Sequence, residues 1–376
     1  MPLFQKKEHS LLGVDIGTSS VKIVELERTR DRAFALVNYG FVEQLQKEAQ
    51  GLTRAESSSI VGYIKAILEK TNFSTTQASA ALPTYSVFSS LISLPAMSPE
   101  ELDSAIHWEA KKIIPLPLED IELDPKILNG QTKGKSGVKL GKKEAGKEKD
   151  EKKEAEPIRV LITGAAKDTV HRYTEIFQES GLHLVSLETE MIALSRSLIG
   201  NDTAEIMIVE IGANLTDIIV VEGGVPFLGR SIETGGAAMT RAIVSSLGIS
   251  DKRAEQLKRD IGIVAFDEAS GGAGVPAILK ESLEPIVHEI RYTIDLYKSH
   301  PVTPTGKGTG SLEKIILTGG ASLLPGLSDY LAKELDIRVI LGDPWATIQY
   351  PSDLRPVLSS LGPKFSVALG LALREV

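Results

Sequence analysis

The chain has 376 residues, of which 42% are hydrophobic and 24% charged, so it has the composition of a globular protein long enough for two domains. Its formal net charge of -8 argues against broad nucleic-acid binding, which normally needs a basic surface. The lack of cysteine excludes disulfide scaffolds and thiolate metal sites, and no apolar run reaches the ~18–20 residues that span a bilayer.

The first part of the chain predicts a small sheet followed by a helix. Runs rich in Val, Ile and Leu predict strands at Leu11–Asp15, Ser20–Leu26 and Phe34–Phe41. Apolar residues at helical spacing predict a helix from about Thr53 to Lys70. The polar start of the chain has no apolar segment of the kind found in a secretory signal.

Between residues 78 and 185 the pattern changes to short strands separated by polar and proline-containing segments. A capping box formed by Ser98 and Glu101 predicts a helix over Pro99–Lys112, which Pro115 and Pro117 end. The Lys-, Glu- and Gly-rich residues 131–156 predict a disordered or loosely ordered loop at a hairpin tip. The predicted strands of this region are Ala78–Leu82, Val87–Leu94, Ile121–Leu128, Ile158–Ala165 and Leu182–Leu187.

The second half alternates helices with strands that enter glycine-containing turns. A strand hairpin is predicted near residues 206–220, and a buried strand at Lys314–Thr318 runs into a Gly-Gly turn. The predicted helices are Thr169–Ser180, Thr189–Leu198, Gly235–Leu247, Lys252–Ile261, Val275–Lys298 and Phe365–Leu373.

The two hairpins carry matched turns about 195 residues apart. In the first, Asp15 ends a strand and is followed by Gly17, by the hydroxyl residues Thr18, Ser19 and Ser20, and by Lys22. In the second, Glu210 holds the place of the acid and is followed by Gly212, Ala213, Asn214 and Thr216. Two such turns facing each other predict a phosphate clamp, because their N–H groups bind anions and the acids can hold a metal through water.

A third motif, Thr318-Gly319-Gly320-Ala321-Ser322, lets a nucleoside lie against bare backbone. It is not a P-loop, because the chain contains no Gly-Lys-Ser/Thr. Glu255 and Lys258 share one face of a predicted helix, where they are either a solvated ion pair or groups that recognise ribose and base.

The order of these motifs resembles that of the actin/Hsp70/sugar-kinase ATPase superfamily. The insertion between residues 78 and 185 resembles that of the FtsA-related branch. Two segments, Gly13–Lys22 and Trp108–Asp120, are similar to motifs of the PilM family of type IV pilus assembly. The resemblance implies an α/β actin-like (FtsA-type) ATPase fold, with two mixed-sheet domains around a nucleotide cleft and an inserted small α+β subdomain.

The resemblance also implies a division of the chain. The first domain comprises 1–77, the connecting helix 186–203 and the return segment 343–376; the inserted subdomain is 78–185; the second domain has its core at 204–234 and 311–342 and a helical subdomain at 235–310.

ATP and Mg²⁺ are the cofactors that the resemblance implies. Asp15 and Glu210 would flank the metal through water, and Glu190 would orient an attacking water. Glu210 departs from the usual Asp, and its extra methylene moves the carboxylate by ~1.5 Å, so we expect binding without fast hydrolysis. The residues expected to contact the nucleotide are Gly17, Thr18, Ser19, Ser20, Lys22, Gly212, Ala213, Asn214, Thr216, Gly235, Gly236, Glu255, Lys258, Gly319, Gly320 and Ser322.

The implied function is a cytoplasmic, nucleotide-dependent scaffold that binds the short cytoplasmic N-terminus of a PilN-like inner-membrane protein. The chain ends without a basic amphipathic tail, so we expect membrane association through that partner only. Self-association stays open. The exposed apolar segment containing Ile113, Ile114, Leu116 and Leu118 either lines the partner groove or packs the insertion's own core. Two alternatives are an FtsA-like cell-division filament protein and a small-molecule kinase or phosphohydrolase.

Overall fold

A computed structural model describes residues 10–43, 54–129, 156–264, 274–300, 302–306 and 308–374. The predicted loop at 131–156 lies outside the described residues except for its last residue. The strands are β1 (Ser10–Ile16), β2 (Ser20–Arg28), β3 (Phe34–Glu43), β4 (Gln77–Leu82), β5 (Val87–Leu94), β6 (Ile121–Asn129), β7 (Ile158–Ala166), β8 (His183–Thr189), β9 (Ile206–Ile211), β10 (Thr216–Glu222), β11 (Val225–Ile232), β12 (Lys314–Thr318), β13 (Val339–Leu341) and β14 (Ile348–Gln349). The helices are α1 (Arg54–Lys70), α2 (Pro99–Ile113), α3 (Lys167–Glu179), α4 (Glu190–Leu198), α5 (Gly236–Leu247), α6 (Asp251–Ile261), α7 (Val275–Lys298), α8 (Leu327–Leu335), α9 (Arg355–Leu361) and α10 (Ser366–Ala372).

The first domain is built on a six-stranded sheet in the order β14-β3-β2-β1-β4-β8. Strands β1, β2 and β3 are antiparallel, while β4 and β8 run parallel to β1. Apolar residues of α1 and α3, including Ile64 and Phe177, cover one face of this sheet. Helix α10 covers the other face through Ala368 and Leu369.

The second domain contains a five-stranded sheet in the order β11-β10-β9-β12-β13. Helices α5 and α7 bury one of its faces, with Met239, Ile243 and Leu283 in the largest apolar cluster. Helices α4 and α10 bury the other face through Leu194 and Leu371. These two helices therefore lie between the two sheets and connect the domains.

The two connecting helices cross in close contact, because glycines remove the side chains that would keep them apart. A Cβ at Gly370 of α10 would lie 2.0 Å from the backbone oxygen of Ala193 in α4. A Cβ at Gly13 of β1 would lie 1.8 Å from the backbone oxygen of Ala368 in α10. Both contacts involve main-chain atoms, so no side-chain movement would relieve them.

The inserted unit is a three-stranded sheet, β5-β7-β6, with α2 packed against it. The predicted capping box is present at the start of α2, where Ser98 and Glu101 exchange hydrogen bonds. On its other face, Leu91 and Leu161 join the apolar cluster of the second domain. The insertion therefore contacts the second domain directly.

Sheet pairing shows that the inserted unit spans fewer residues than the predicted range 78–185. Strand β4 pairs with β1 and with β8 in the first sheet, and α3 packs in the first domain's core through Tyr173 and Phe177. The separate sheet thus runs from β5 to β7. The boundaries differ because β4 is buried on both faces and carries mostly small apolar residues, which suits a central strand of the larger sheet.

Most predicted elements are confirmed within two or three residues. Strand β11, which continues the second hairpin into a third strand, was not among the predicted elements, and neither were β13, β14 and α9. Within the described residues, no helix combines the length and apolarity needed to cross a membrane.

Candidate functional site

The first turn holds a buried ion pair. Asp15 and Lys22 lie directly opposite each other in the β1–β2 register, so both side chains emerge on one face. The Lys22 Nζ lies 2.7 Å from the Asp15 Oδ2. The Gly17 N–H donates to the Ser20 carbonyl over 3.0 Å, and a Cβ on Gly17 would lie 3.7 Å from the Lys22 Nζ. The ammonium is therefore held against the glycine turn.

The second turn repeats this geometry with a different charge. The Gly212 N–H donates to the Leu215 carbonyl over 2.9 Å, and Glu210 lies opposite Asp217 in the β9–β10 register. Asp217 thus holds the place that Lys22 holds in the first hairpin. Two acids directly opposite each other destabilise a sheet, so this pair points to a site that binds cations. Sequence reasoning missed Asp217, although its seven-residue offset from Glu210 equals that from Asp15 to Lys22.

Glu190, the first residue of α4, joins these acids. Its Oε2 accepts a hydrogen bond from the Thr84 N–H over 3.0 Å. Burial, followed by the charges of Asp217, Glu210 and Asp15, raises the pKa of Glu190 well above its usual value. The structure therefore brings together the predicted Asp15, Lys22, Glu190 and Glu210 and adds Asp217.

Burial, and after it mutual repulsion, sets the electrostatics of this cluster. Burial, then Asp217 and Asp15, raises the pKa of Glu210 to about 8, and burial raises that of Asp217 to about 6. Burial alone would lower the pKa of Lys22, but Asp15 outweighs it and the pKa is raised. Four carboxyl groups around one ammonium fit a hydrated Mg²⁺, because oxygen ligands and negative charge are what this ion prefers.

A second group of predicted residues meets at α5 and α6. The Lys258 Nζ lies 2.6 Å from the Glu255 Oε2, 2.8 Å from the Thr240 Oγ1 and 2.9 Å from the Gly236 carbonyl oxygen. A Cβ on Gly236 would lie 3.1 Å from the Cβ of Ala321, next to Gly320. The helix pair and the Gly-Gly motif thus meet at one place. Lys258 is 7% exposed, so this pair is not the solvated ion pair of the alternative interpretation.

Some of the groups predicted to contact the nucleotide make hydrogen bonds within the protein instead. The Thr216 hydroxyl is buried and donates to the Thr234 carbonyl over 2.7 Å, and the Ser322 hydroxyl donates to the Gly319 carbonyl over 2.7 Å. The Gly236 N–H donates to the Gly212 carbonyl over 2.9 Å. These groups shape the turns. Thr18, Ser19, Ala213 and Asn214 are partly exposed on the two turns.

Two glycines pack backbone against backbone. A Cβ on Gly235 would lie 2.7 Å from the carbonyl oxygens of Gly212 and Ala213. At Gly319 the φ angle is +84°, and a Cβ would lie 2.5 Å from the Ile211 carbonyl oxygen. Both glycines therefore hold the second turn in place against its neighbours.

Comparison with known proteins identifies the family. The family described as type IV pilus assembly protein PilM matches residues 13–141 and 144–376. The chain belongs to the PilM family. Its place is therefore in type IV pilus assembly.

Solved structures agree with the actin-like fold of this PilM-family chain. A chain of the PilM-PilN type IV pilus biogenesis complex is 24% identical, with a TM-score of 0.75, and the match covers 97% of this chain and 98% of that one. MreB5 of Spiroplasma citri bound to AMPPNP is 13% identical, with a TM-score of 0.53, and the match covers 97% and 95% of the two chains.

Curated relatives lie in the FtsA branch. The cell division protein FtsA of Enterococcus hirae is 24% identical over 360 residues, which are 86% of this chain and 76% of that protein. FtsA of Neisseria meningitidis serogroup B is 23% identical over 276 residues, which are 69% of this chain and 61% of that protein. The chain therefore spans only part of the length of these relatives.

The acid cluster gives this PilM-family protein a pH dependence that needs no ligand to measure. A carboxyl whose pKa rises on folding stabilises the protein below its unfolded pKa, and this contribution is lost as the pH rises to the folded pKa. For Glu210 that window runs from 4.5 to about 8. Between these pH values the free energy of unfolding of the unmutated protein should fall. In Glu210→Gln we expect that fall to be smaller by on the order of 2 kcal/mol, measured by urea unfolding at each pH.

Glu255→Gln is the control with the opposite sign. Burial raises the pKa of Glu255, but hydrogen bonds from Lys258 and Thr240 outweigh it and lower the pKa to about 2. Its stabilising contribution is therefore present above pH 4.5 and is lost as the pH falls towards 2. A Glu210→Gln protein whose stability still falls as steeply between pH 4.5 and 8 as that of the unmutated chain would disprove the assignment.

Proposed function

We propose that this protein is an ATP-binding scaffold of type IV pilus assembly, whose nucleotide state controls binding of the cytoplasmic N-terminal peptide of a PilN-like inner-membrane protein. The observation that carries the proposal is the PilM family match along the chain, joined to two facing turns that carry acids and a buried lysine. The FtsA-like alternative is less favoured, because the FtsA relatives match less of the chain than the PilM family does.

ATP would lie between the two turns. Lys22 supplies a positive charge for the β- or γ-phosphate, and the partly exposed turn residues supply N–H and hydroxyl groups. Asp15 and Glu210 would hold the waters of Mg²⁺, which neutralises phosphate charge when it is bound. Glu190 would orient a water beside the γ-phosphate.

The nucleoside would lie where α5, α6 and the Gly-Gly motif meet. Lys258 already makes hydrogen bonds to two protein oxygens and an ion pair with Glu255, so its first role is to fix that carboxylate. Glu255 is half-buried and keeps its negative charge, which suits acceptance of hydrogen bonds from ribose hydroxyls. Gly319 and Gly320 leave room for the base against the backbone.

Closure of the cleft would alter the insertion. Helices α4 and α10 act as the connection between the sheets, while Leu91 and Leu161 join the insertion to the second domain's apolar cluster. When one domain moves against the other, the insertion must therefore either move with the second domain or slide along its surface. Coupling between sites is reciprocal, so bound peptide must change ATP affinity by the same factor as ATP changes peptide affinity.

The insertion offers a place for an apolar peptide. A small cavity of about 70 Å³ is lined by Phe88, Ser89, Ser90, Ile113, Ile114 and Ile162. Of the segment expected from the sequence, Ile113 is 39% and Leu116 44% exposed, whereas Ile114 and Leu118 pack in the insertion's own core. We propose that Ile113 and Leu116 contact the partner. The protein would then be cytoplasmic and peripheral to the inner membrane.

Calorimetric titration of Mg-ATP tests this function. It is done with and without a saturating concentration of the N-terminal peptide of the PilN-like membrane protein. We expect ATP to bind and the peptide to change its affinity. Equal ATP affinity in both titrations would refute the coupling but leave nucleotide binding intact. Failure of ATP to bind at all would refute the cleft assignment.

A further inference from the structure

The turn that leaves β4 for the insertion lies directly on the acid cluster. It is a short helical turn, Thr84–Ser86, and the Thr84 N–H donates to the Glu190 Oε2 over 3.0 Å. The methyl carbon of Thr84 lies 3.3 Å from the place of a Cβ on Gly229 in β11. Thr84 therefore contacts both the first domain's Glu190 and the second domain's sheet.

The Thr84 hydroxyl is the unusual feature of this turn. Thr84 is 7% exposed, and its buried Oγ1 makes no hydrogen bond of normal length to the described residues. Burial raises the pKa of Asp217 overall, and a long hydrogen bond from the Thr84 hydroxyl opposes that rise. A buried hydroxyl whose one protein contact is long costs free energy, so it normally binds a water or a ligand group as well.

Three oxygen-bearing groups thus converge on one point of the cleft. Glu190 and Asp217 are acceptors when ionised, and a threonine hydroxyl both donates and accepts. A water needs two to four such partners to be held in place. Main-chain and methyl contacts fix Thr84 on two sides, so its hydroxyl is well positioned to orient such a water.

We propose that the Thr84 hydroxyl, together with Glu190, positions the water that attacks the γ-phosphate of ATP. This inference rests on the proposed function. In the step, the water oxygen forms a bond to the γ-phosphorus and passes a proton to the Glu190 carboxylate. The bond from that phosphorus to the bridging oxygen breaks, and its electron pair leaves with ADP. Thr84 acts as a positioning residue, since it orients the water and exchanges no proton with phosphate.

Thr84→Val tests the proposal, because valine keeps the shape and the methyl contact but removes the hydroxyl. We expect unchanged affinity for Mg-ADP, about tenfold weaker affinity for Mg-ADP with aluminium fluoride, and a similar fall in turnover. The fluoride complex mimics the transferring phosphoryl group with its water, so calorimetry reads the site without relying on turnover.

Two further variants separate positioning from packing. Thr84→Ser restores the hydroxyl and should restore the affinity for the fluoride complex. Ser79→Ala removes the hydroxyl of a fully buried β4 residue, which lacks a partner among the described residues, and should leave both affinities unchanged. Thr84→Val that changes neither affinity, or lowers both equally, would overturn the proposal. Failure of the unmutated protein to bind Mg-ADP would instead overturn the proposed function on which it rests.

Discussion

A Gly370→Ala substitution is expected to lower the free energy of unfolding by about 3 kcal/mol, because it forces the two connecting helices apart. The new Cβ would lie 2.0 Å from the Ala193 carbonyl oxygen and 2.6 Å from its carbon. Both are main-chain atoms of α4, so relief requires α10 or α4 to shift. Such a shift would disturb the apolar clusters on both sheets, since Leu371 and Ala368 of α10 belong to different clusters.

Gly62→Ala is the matched control, because the same chemical change should have the opposite sign. Gly62 lies on the exposed side of α1, and a Cβ there would meet nothing within 4 Å. Alanine should stabilise this helix by about 1 kcal/mol. Urea unfolding of both variants checks the pair. A Gly370→Ala protein as stable as the unmutated chain would mean that the helices do not cross in this close contact.

The fold was predictable from the sequence because its motifs repeat in a fixed order. Each hairpin has a strand, an acid, a glycine two residues on and a second strand, and each forms the same N–H to carbonyl hydrogen bond across its turn. Local pattern suffices for such turns, since their geometry depends on residues three apart in the chain. Pairing in the sheet was harder to predict. The strand at Ala78–Leu82 has the same pattern in either sheet, and only long-range pairing with β1 assigns it to the first domain.

The acid cluster was only partly predictable for a related reason. Asp15, Lys22 and Glu210 stand out as polar residues at the ends of apolar strands. Asp217 lies beside Thr216 at the start of β10, before the apolar run, and becomes conspicuous only when the register places it opposite Glu210. Thr84 gives no signal at all, because the contact with Glu190 joins residues 106 apart in the chain.

The type of a residue does not by itself show its role in the site, as two hydroxyl residues of the motifs illustrate. Thr216 and Ser322 occupy positions in phosphate-type and nucleoside-type motifs, yet their hydroxyls donate to carbonyls of neighbouring turns. A hydroxyl serves a backbone group and a ligand equally well, so the sequence does not distinguish the two. The structure assigns them to the shape of the site.

The second large effect is expected for Lys22→Met, which should weaken ATP binding on the order of 100-fold. Lys22 is the only ammonium that interacts with Asp15 in the described part of the structure, and it lies against the first glycine turn. Without the Lys22 ammonium, the triphosphate would face the four carboxyl groups with no positive charge from the Lys22–Asp15 pair to offset them. Calorimetric titration of Mg-ATP measures the loss.

Lys314→Met controls for the loss of a lysine ion pair away from the site, although Asp202 is more exposed than Asp15. The Lys314 Nζ lies 2.7 Å from the Asp202 Oδ2, the same distance as in the Lys22 pair, and both lysine side chains are largely buried. Lys314 begins β12 and Asp202 precedes β9, so their pair lies at the opposite end of these strands from the turns. We expect this variant to lose stability while ATP affinity stays unchanged.

Titration of Mg²⁺ alone separates electrostatics from misfolding in the Lys22→Met protein. Removal of the ammonium takes away the positive charge that lowers the pKa of Glu210, and so increases the negative potential of the cleft. A cation should then bind more tightly and a polyanion less tightly. A distorted cleft would weaken both ligands. We therefore expect the affinity for Mg²⁺ without nucleotide to rise as that for ATP falls, and a parallel loss of both would assign Lys22 to the folding of the turn.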